Sequence, residues 1–142
     1  MAWPAFPERL QSALKALCCL AESGEAMQSQ QIAQQIRVST AETAKILQLL
    51  VWGGFVTSRR GSKGGFHLAA GADQITMGQV IDFFVSRHPQ ETDDSFTVMR
   101  MFEKTSAPCQ KAFGKLTLRD ITKTRRTAKS GRKIEHTRRS KN

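Results

Sequence analysis

The stretch STAETAKILQLLVWGGFVTSRRGSKGGFHLA, residues 39–69, decides how this chain is read. Ser39 to Glu42 has the spacing of a capping box, in which the hydroxyl serves the third amide and the carboxylate reaches back to the cap. Ile46, Leu47, Leu50 and Val51 then fall on one helical face, and Gly53-Gly54 ends the helix. After that the period changes. Phe55 to Ser58 is β-like, Arg59 to Gly65 is Gly-rich and basic, and Phe66 to Ala69 alternates. The pattern predicts a helix followed by a two-stranded wing with a basic tip.

Upstream, Pro4 and Pro7 punctuate a short arm. A first helix is expected from about Glu8 to Glu22, with Leu10, Leu14, Leu17, Cys18 and Ala21 on one face and Ser23-Gly24 closing it. Ser29 is placed to cap a second, short helix over Gln30–Ile36, with Ile32 and Ile36 inward and the small Ala33 beside them. Arg37-Val38 makes a tight connection to Ser39, so the second and third helices read as a helix-turn-helix.

Downstream, Thr76 and Gln79 form another capping box. Val80, Ile81, Phe83 and Phe84 supply a helix that packs back on the first. Phe96, Met99, Met101 and Phe102 begin one more helical segment, which Pro108 interrupts. From Thr122 onward only Ala128 and Ile134 are apolar, and this part is expected to be a disordered tail. The fold class is therefore mainly α with a small β-hairpin: a winged helix-turn-helix domain (1–86), a linker and dimerisation helix (87–121), and a basic tail (122–142).

The 142 residues carry a net charge of +10. Arg119 to Asn142 holds ten Lys/Arg against Asp120 and Glu135, a net of +8, so the excess charge belongs to the tail. No apolar run reaches the ~18–20 residues that span a bilayer, and a cytoplasmic protein is expected. Three cysteines, two of them adjacent, form neither a disulfide framework nor a CxxC metal pattern. No paired His/carboxylate set, phosphate loop or nucleophile with a base is evident, so an enzyme is not expected.

A helix-turn-helix with a basic wing has a physical logic on double-stranded DNA. The third helix fits the major groove and its first turn faces base edges. Ser39, Thr40, Glu42, Thr43 and Lys45 are the candidate readers, with Ser29 at the start of the second helix. A hydroxyl serves a base or a phosphate, Lys45 suits a guanine edge or a phosphate, and Glu42 accepts from cytosine N4 or merely caps. In the wing, Arg59, Arg60 and Lys63 suit a minor groove or phosphates. His67 reads as an outward strand residue.

Several of these strings resemble the Rrf2 family of bacterial transcriptional regulators over roughly residues 8–85. SALKALCCLA (12–21) resembles its first-helix motif. KILQLL (45–50), GFVTS (54–58) and RGSKGGFHLA (60–69) resemble its recognition helix and wing, and ITMGQVI (75–81) the helix that follows. CQKAF (109–113) and LTLRDI (116–121) resemble the dimerisation region. The resemblance implies a homodimer on a palindromic operator, acting as a repressor, with Arg60 as the wing arginine. Glu42-Thr43 replaces the family's usual Tyr-Leu pair, which implies a different operator, and Ser12 replaces a usual aromatic residue.

Cluster-binding members of that family supply three closely spaced cysteines after the wing domain. Here that region holds Cys109 alone, so no cofactor is expected and an iron–sulfur cluster is not. Cys109, flanked by Lys104 and Lys111, reads either as a redox or sensor thiol or as an ordinary cysteine. Two functions stay open on the residues: a sequence-specific regulator, and an interaction protein whose winged scaffold carries a basic tail to an acidic partner. On the first reading the tail adds affinity without specificity.

Overall fold

The computed structural model describes residues 7–87 and 114–127. Four helices and one hairpin follow in the order α1 (Glu8–Ser23), α2 (Ser29–Ile36), α3 (Thr40–Trp52), β1 (Val56–Arg59), β2 (Gly65–Leu68) and α4 (Met77–Arg87). A further helix covers residues 118–127. Among the described residues no helix is long and apolar enough to cross a membrane.

α1 is the centre of the fold. Leu10, Ala13, Ala16, Leu17, Cys18, Cys19 and Leu20 are all buried, a wider band than the single face the spacing predicts. The cause is packing on several sides: α1 touches α2, α3, β2 and α4. Leu14 and Ala21 are only half-buried at its margins.

α2 begins one residue earlier than expected and is not capped by Ser29. Its cap is Gln28, whose side chain accepts from the Gln31 amide while Gln31 Oε1 accepts from the Gln28 amide at 2.9 Å. Ile32, Ala33 and Ile36 are buried against the core. Arg37 turns the chain in the left-handed region at φ 58°, and its N–H returns to the Ala33 carbonyl. Ser39 Oγ then accepts from the Glu42 amide at 3.2 Å. The reciprocal bond from the Glu42 carboxylate does not form, so this box is half made.

After α3, Phe55 fixes the wing root, with its ring edge-on to Phe83 of α4 at 5.8 Å. β1 and β2 pair antiparallel in the register Val56↔Leu68 to Arg59↔Gly65. Met27 acts as a one-residue third strand, exchanging two backbone bonds with Phe66 at 2.9 and 2.8 Å.

The predicted Thr76–Gln79 box is complete at the start of α4, and Val80, Ile81 and Phe84 are buried. Beside it lies a second box: Thr117 Oγ1 receives the Asp120 amide at 3.2 Å, and Asp120 Oδ2 receives the Thr117 amide at 3.0 Å. The two helix starts are zipped together, with Met77 N–H donating to the Leu116 carbonyl and Leu118 N–H to the Ile75 carbonyl.

Leu118 is fully buried among the core residues. Leu116, Leu118, Ile121 and Thr122 thus pack on the core of the winged part, within a stretch that the sequence reading assigns to the linker, dimerisation segment and tail. The expectation of disorder from Thr122 is also corrected, because the helix continues to residue 127. Thr122, Thr124 and Thr127 direct their hydroxyls to carbonyls three or four residues back, satisfying themselves within the helix. The helix expected around Phe96–Phe102, Cys109 and the tail beyond 127 lie outside the described residues.

Candidate nucleic-acid interface

α3 buries Thr43, Ile46, Leu47 and Leu50 and presents the opposite stripe to solvent. That stripe is Thr40, Ala41, Ala44, Lys45, Gln48 and Trp52. Ser39 is exposed at its head. The Ser39 hydroxyl spends an acceptor lone pair on the Glu42 amide and keeps its own proton to donate. Glu42 is half-buried beside it, and Ser29 is half-buried in the first turn of α2.

Thr43 is the exception among the predicted readers. Its side chain is fully buried, and its Oγ1 has no hydrogen-bond partner. As the fourth residue of α3 it turns inward one helical step before Ile46 and Leu47, so it belongs to the core and not to a DNA-reading surface.

In the wing, Arg59, Arg60, Ser62 and Lys63 are all exposed. Among the described residues no carboxylate pairs with Lys45, Arg59, Arg60 or Lys63. Ion pairs found away from this surface include Arg119 with Asp73 at 3.8 Å and Arg125 with Glu22 at 3.9 Å. Four uncompensated cations on an exposed helix stripe and a hairpin tip suit a polyanion.

The tip is held by close backbone contact. At Gly65, φ is 136° and a Cβ would meet the Met27 carbonyl oxygen at 2.6 Å, so only glycine lets the hairpin lie against the segment before α2. Gln28 Nε2 adds a bond of 2.8 Å to the Gly64 carbonyl. His67 lies on β2, half-buried where the sequence reading turns it outward, and pairs across the strands with Thr57 Oγ1 at 2.7 Å.

Gln48 and Trp52 share the exposed stripe with Lys45. The signal for them is the helical spacing 45, 48, 52 itself. Trp52 is 74% exposed, and nothing among the described residues covers it.

A family model described as "Iron-dependent Transcriptional regulator", Rrf2, matches residues 6–124. The chain belongs to the Rrf2 family. Solved Rrf2-like folds agree. IscR of T. potens superposes with a TM-score of 0.70 at 22% identity, covering 87% of this chain and 90% of that one. CymR of B. subtilis, the global cysteine regulator of that organism, gives 0.67 at 21% identity, with 84% and 97% covered. CymR of Staphylococcus aureus gives 0.62 at 19% identity, with 82% and 96% covered. No curated protein matches the chain by sequence. By family and fold, this Rrf2 chain is a transcriptional regulator with a DNA-binding winged helix.

The family description implies iron, and the described thiols do not fit it. Cys18 and Cys19 are buried in α1, and burial pushes the Cys18 thiol up to about 11 and raises Cys19 as well. Cys19 Sγ donates to Gln35 Oε1 at 2.9 Å and lies 3.7 Å from Met27 Sδ. Both are protonated core thiols, whereas cluster ligation takes thiolates.

Proposed function

We propose that this Rrf2 protein is a sequence-specific repressor acting in the cytoplasm as a homodimer on a palindromic operator. The observation that carries this reading is the exposed α3 stripe, Thr40 to Gln48, beside a wing tip whose cations have no partner within the described fold. In the major groove, Ser39 and Thr40 donate to phosphates or base edges, and Lys45 takes a guanine edge or a phosphate. Gln48 has the paired donor and acceptor that recognise adenine. Glu42 accepts from cytosine N4, and its charge excludes registers that bring phosphate near. Ser29 donates to a phosphate from the start of α2, and Arg59, Arg60 and Lys63 grip the adjacent backbone or minor groove.

The protein works without a thiolate-ligated iron–sulfur cluster, because the chain has three cysteines and two of them are core thiols. Cys109 is the remaining candidate for a redox signal.

Selection of bound duplexes from a randomised library tests this reading. Two inverted half-sites about one DNA turn apart, ~34 Å, should be enriched, with two protomers per duplex. A single asymmetric site holding one protomer would overturn the dimer. No enrichment at all would overturn specific recognition.

A further inference from the structure

We propose that Gln28 is a positioning residue for the wing, fixing the basic hairpin tip relative to the helix-turn-helix so that both meet DNA in one arrangement. This rests on the DNA-binding reading above. The usual residues at a helix N-cap are Ser, Thr, Asp and Asn, whose short side chains offer an acceptor to the first turn. Gln28 does that work with its Oε1, which accepts from the Gln31 amide. It also does something no short cap can do. Its Nε2 spans to a residue 36 positions later and donates to the Gly64 carbonyl at 2.8 Å.

The place of that bond gives it its effect. Phe66 is tied to Met27 by two backbone bonds, and Gly65 lies hard against the Met27 carbonyl. These contacts hold the far end of the ladder, where Arg59 pairs with Gly65 just before the turn. Beyond Gly64 lies the turn with Arg60 and Lys63, closed on itself by the Gly64 amide donating to the Gly61 carbonyl at 2.9 Å. The Gln28 amide thus reaches further toward the tip than the Met27 backbone bonds do, and it ends one residue from Lys63. Gln28 also starts α2, whose C-terminal turn leads into α3. One side chain ties the entry of the helix-turn-helix to the wing tip.

Two substitutions separate this role from capping. Gln28→Ser keeps a good N-cap acceptor and the Gln31 half of the box but removes the amide. Gln28→Glu keeps length and acceptor but replaces the donor by an oxygen facing the Gly64 carbonyl. In the full chain without DNA, both should speed amide exchange at residues 61–66 several-fold. Amides of α2 should keep their wild-type protection in Gln28→Ser.

On a duplex enriched by the wild-type protein, Gln28→Ser should bind roughly three- to tenfold more weakly, the worth of one ordinary hydrogen bond. In an Arg60→Ala/Lys63→Ala background the same substitution should change binding by less than about twofold, because no tip charge is left to position. Unchanged exchange in the wing overturns the proposal, and so does an equal penalty in both backgrounds. If no duplex is enriched, the DNA-binding reading falls and the proposal with it. The exchange measurement then still reads separately whether the tether exists.

Discussion

Thr43 sits in the first full turn of α3, yet its hydroxyl is enclosed in the core without a partner. A buried, unpaired hydroxyl costs desolvation and returns nothing, so an apolar group of the same shape should be accepted. Thr43→Val is therefore expected to be neutral or to stabilise by up to about 1 kcal/mol, with operator affinity unchanged. Thermal denaturation and a binding titration check both halves, and a clear drop in affinity would return Thr43 to the reading surface. Ser39 and Thr40 were legible as exposed because they open the helix ahead of its first inward residue, and Lys45 because its helical phase turns it away from the side of Leu47 and Leu50. Thr43 was not, because threonine is polar by composition and β-branched by shape, and only the helical phase decides which property is used. Gln28 was hidden for another reason: Ser29 is the better cap by residue type, and nothing local in the sequence marks the bond from Gln28 to Gly64.

The elements of residues 8–84 were legible because capping residues and apolar period agree at nearly every boundary. The Thr76–Gln79 box is where the sequence places it, and the two strands each lie within one residue of the stretches expected for them. The helix over 118–127 was not legible in full, since it offers only Leu118 and Ile121 as apolar anchors amid basic and threonine residues. Its start is secured instead by Thr117 and Asp120. The Thr117 backbone N–H, and secondarily its hydroxyl, hold the Asp120 carboxyl below the usual carboxylate range. A depressed carboxylate stabilises the folded state above its unfolded pKa, ~3.9, and that contribution disappears as pH falls through the lower folded value. Wild-type stability should therefore carry an Asp120-dependent fall below about pH 4, and Asp120→Asn should flatten that part of the curve. Thermal melts between pH 6 and 3 make the comparison, and superimposable profiles would mean that the box does not hold in solution.

Across the whole molecule, charge and fold divide the labour. The family match ends at residue 124, whereas the basic residues Lys129, Arg132, Lys133, Arg138, Arg139 and Lys141 follow beyond it. A cut before Thr122, where composition alone starts the tail, would remove more than half of a helix that docks on the core. Truncation after Thr127 is the appropriate deletion. It should weaken binding to all duplexes alike and reduce the salt slope by about 0.9 for each phosphate that the tail neutralises in the full chain. Disappearance of operator preference in that truncation would contradict the division.

Specific reading by α3 and the wing is the central claim, and one ratio measures it: affinity for the enriched duplex over affinity for a shuffled duplex, at ~0.15 M salt. A preference of ~10³-fold or more is expected for the wild-type protein. Lys45→Ala/Arg60→Ala should cut that preference by roughly ten- to a hundredfold. Equal affinity of the wild-type protein for the two duplexes would contradict it.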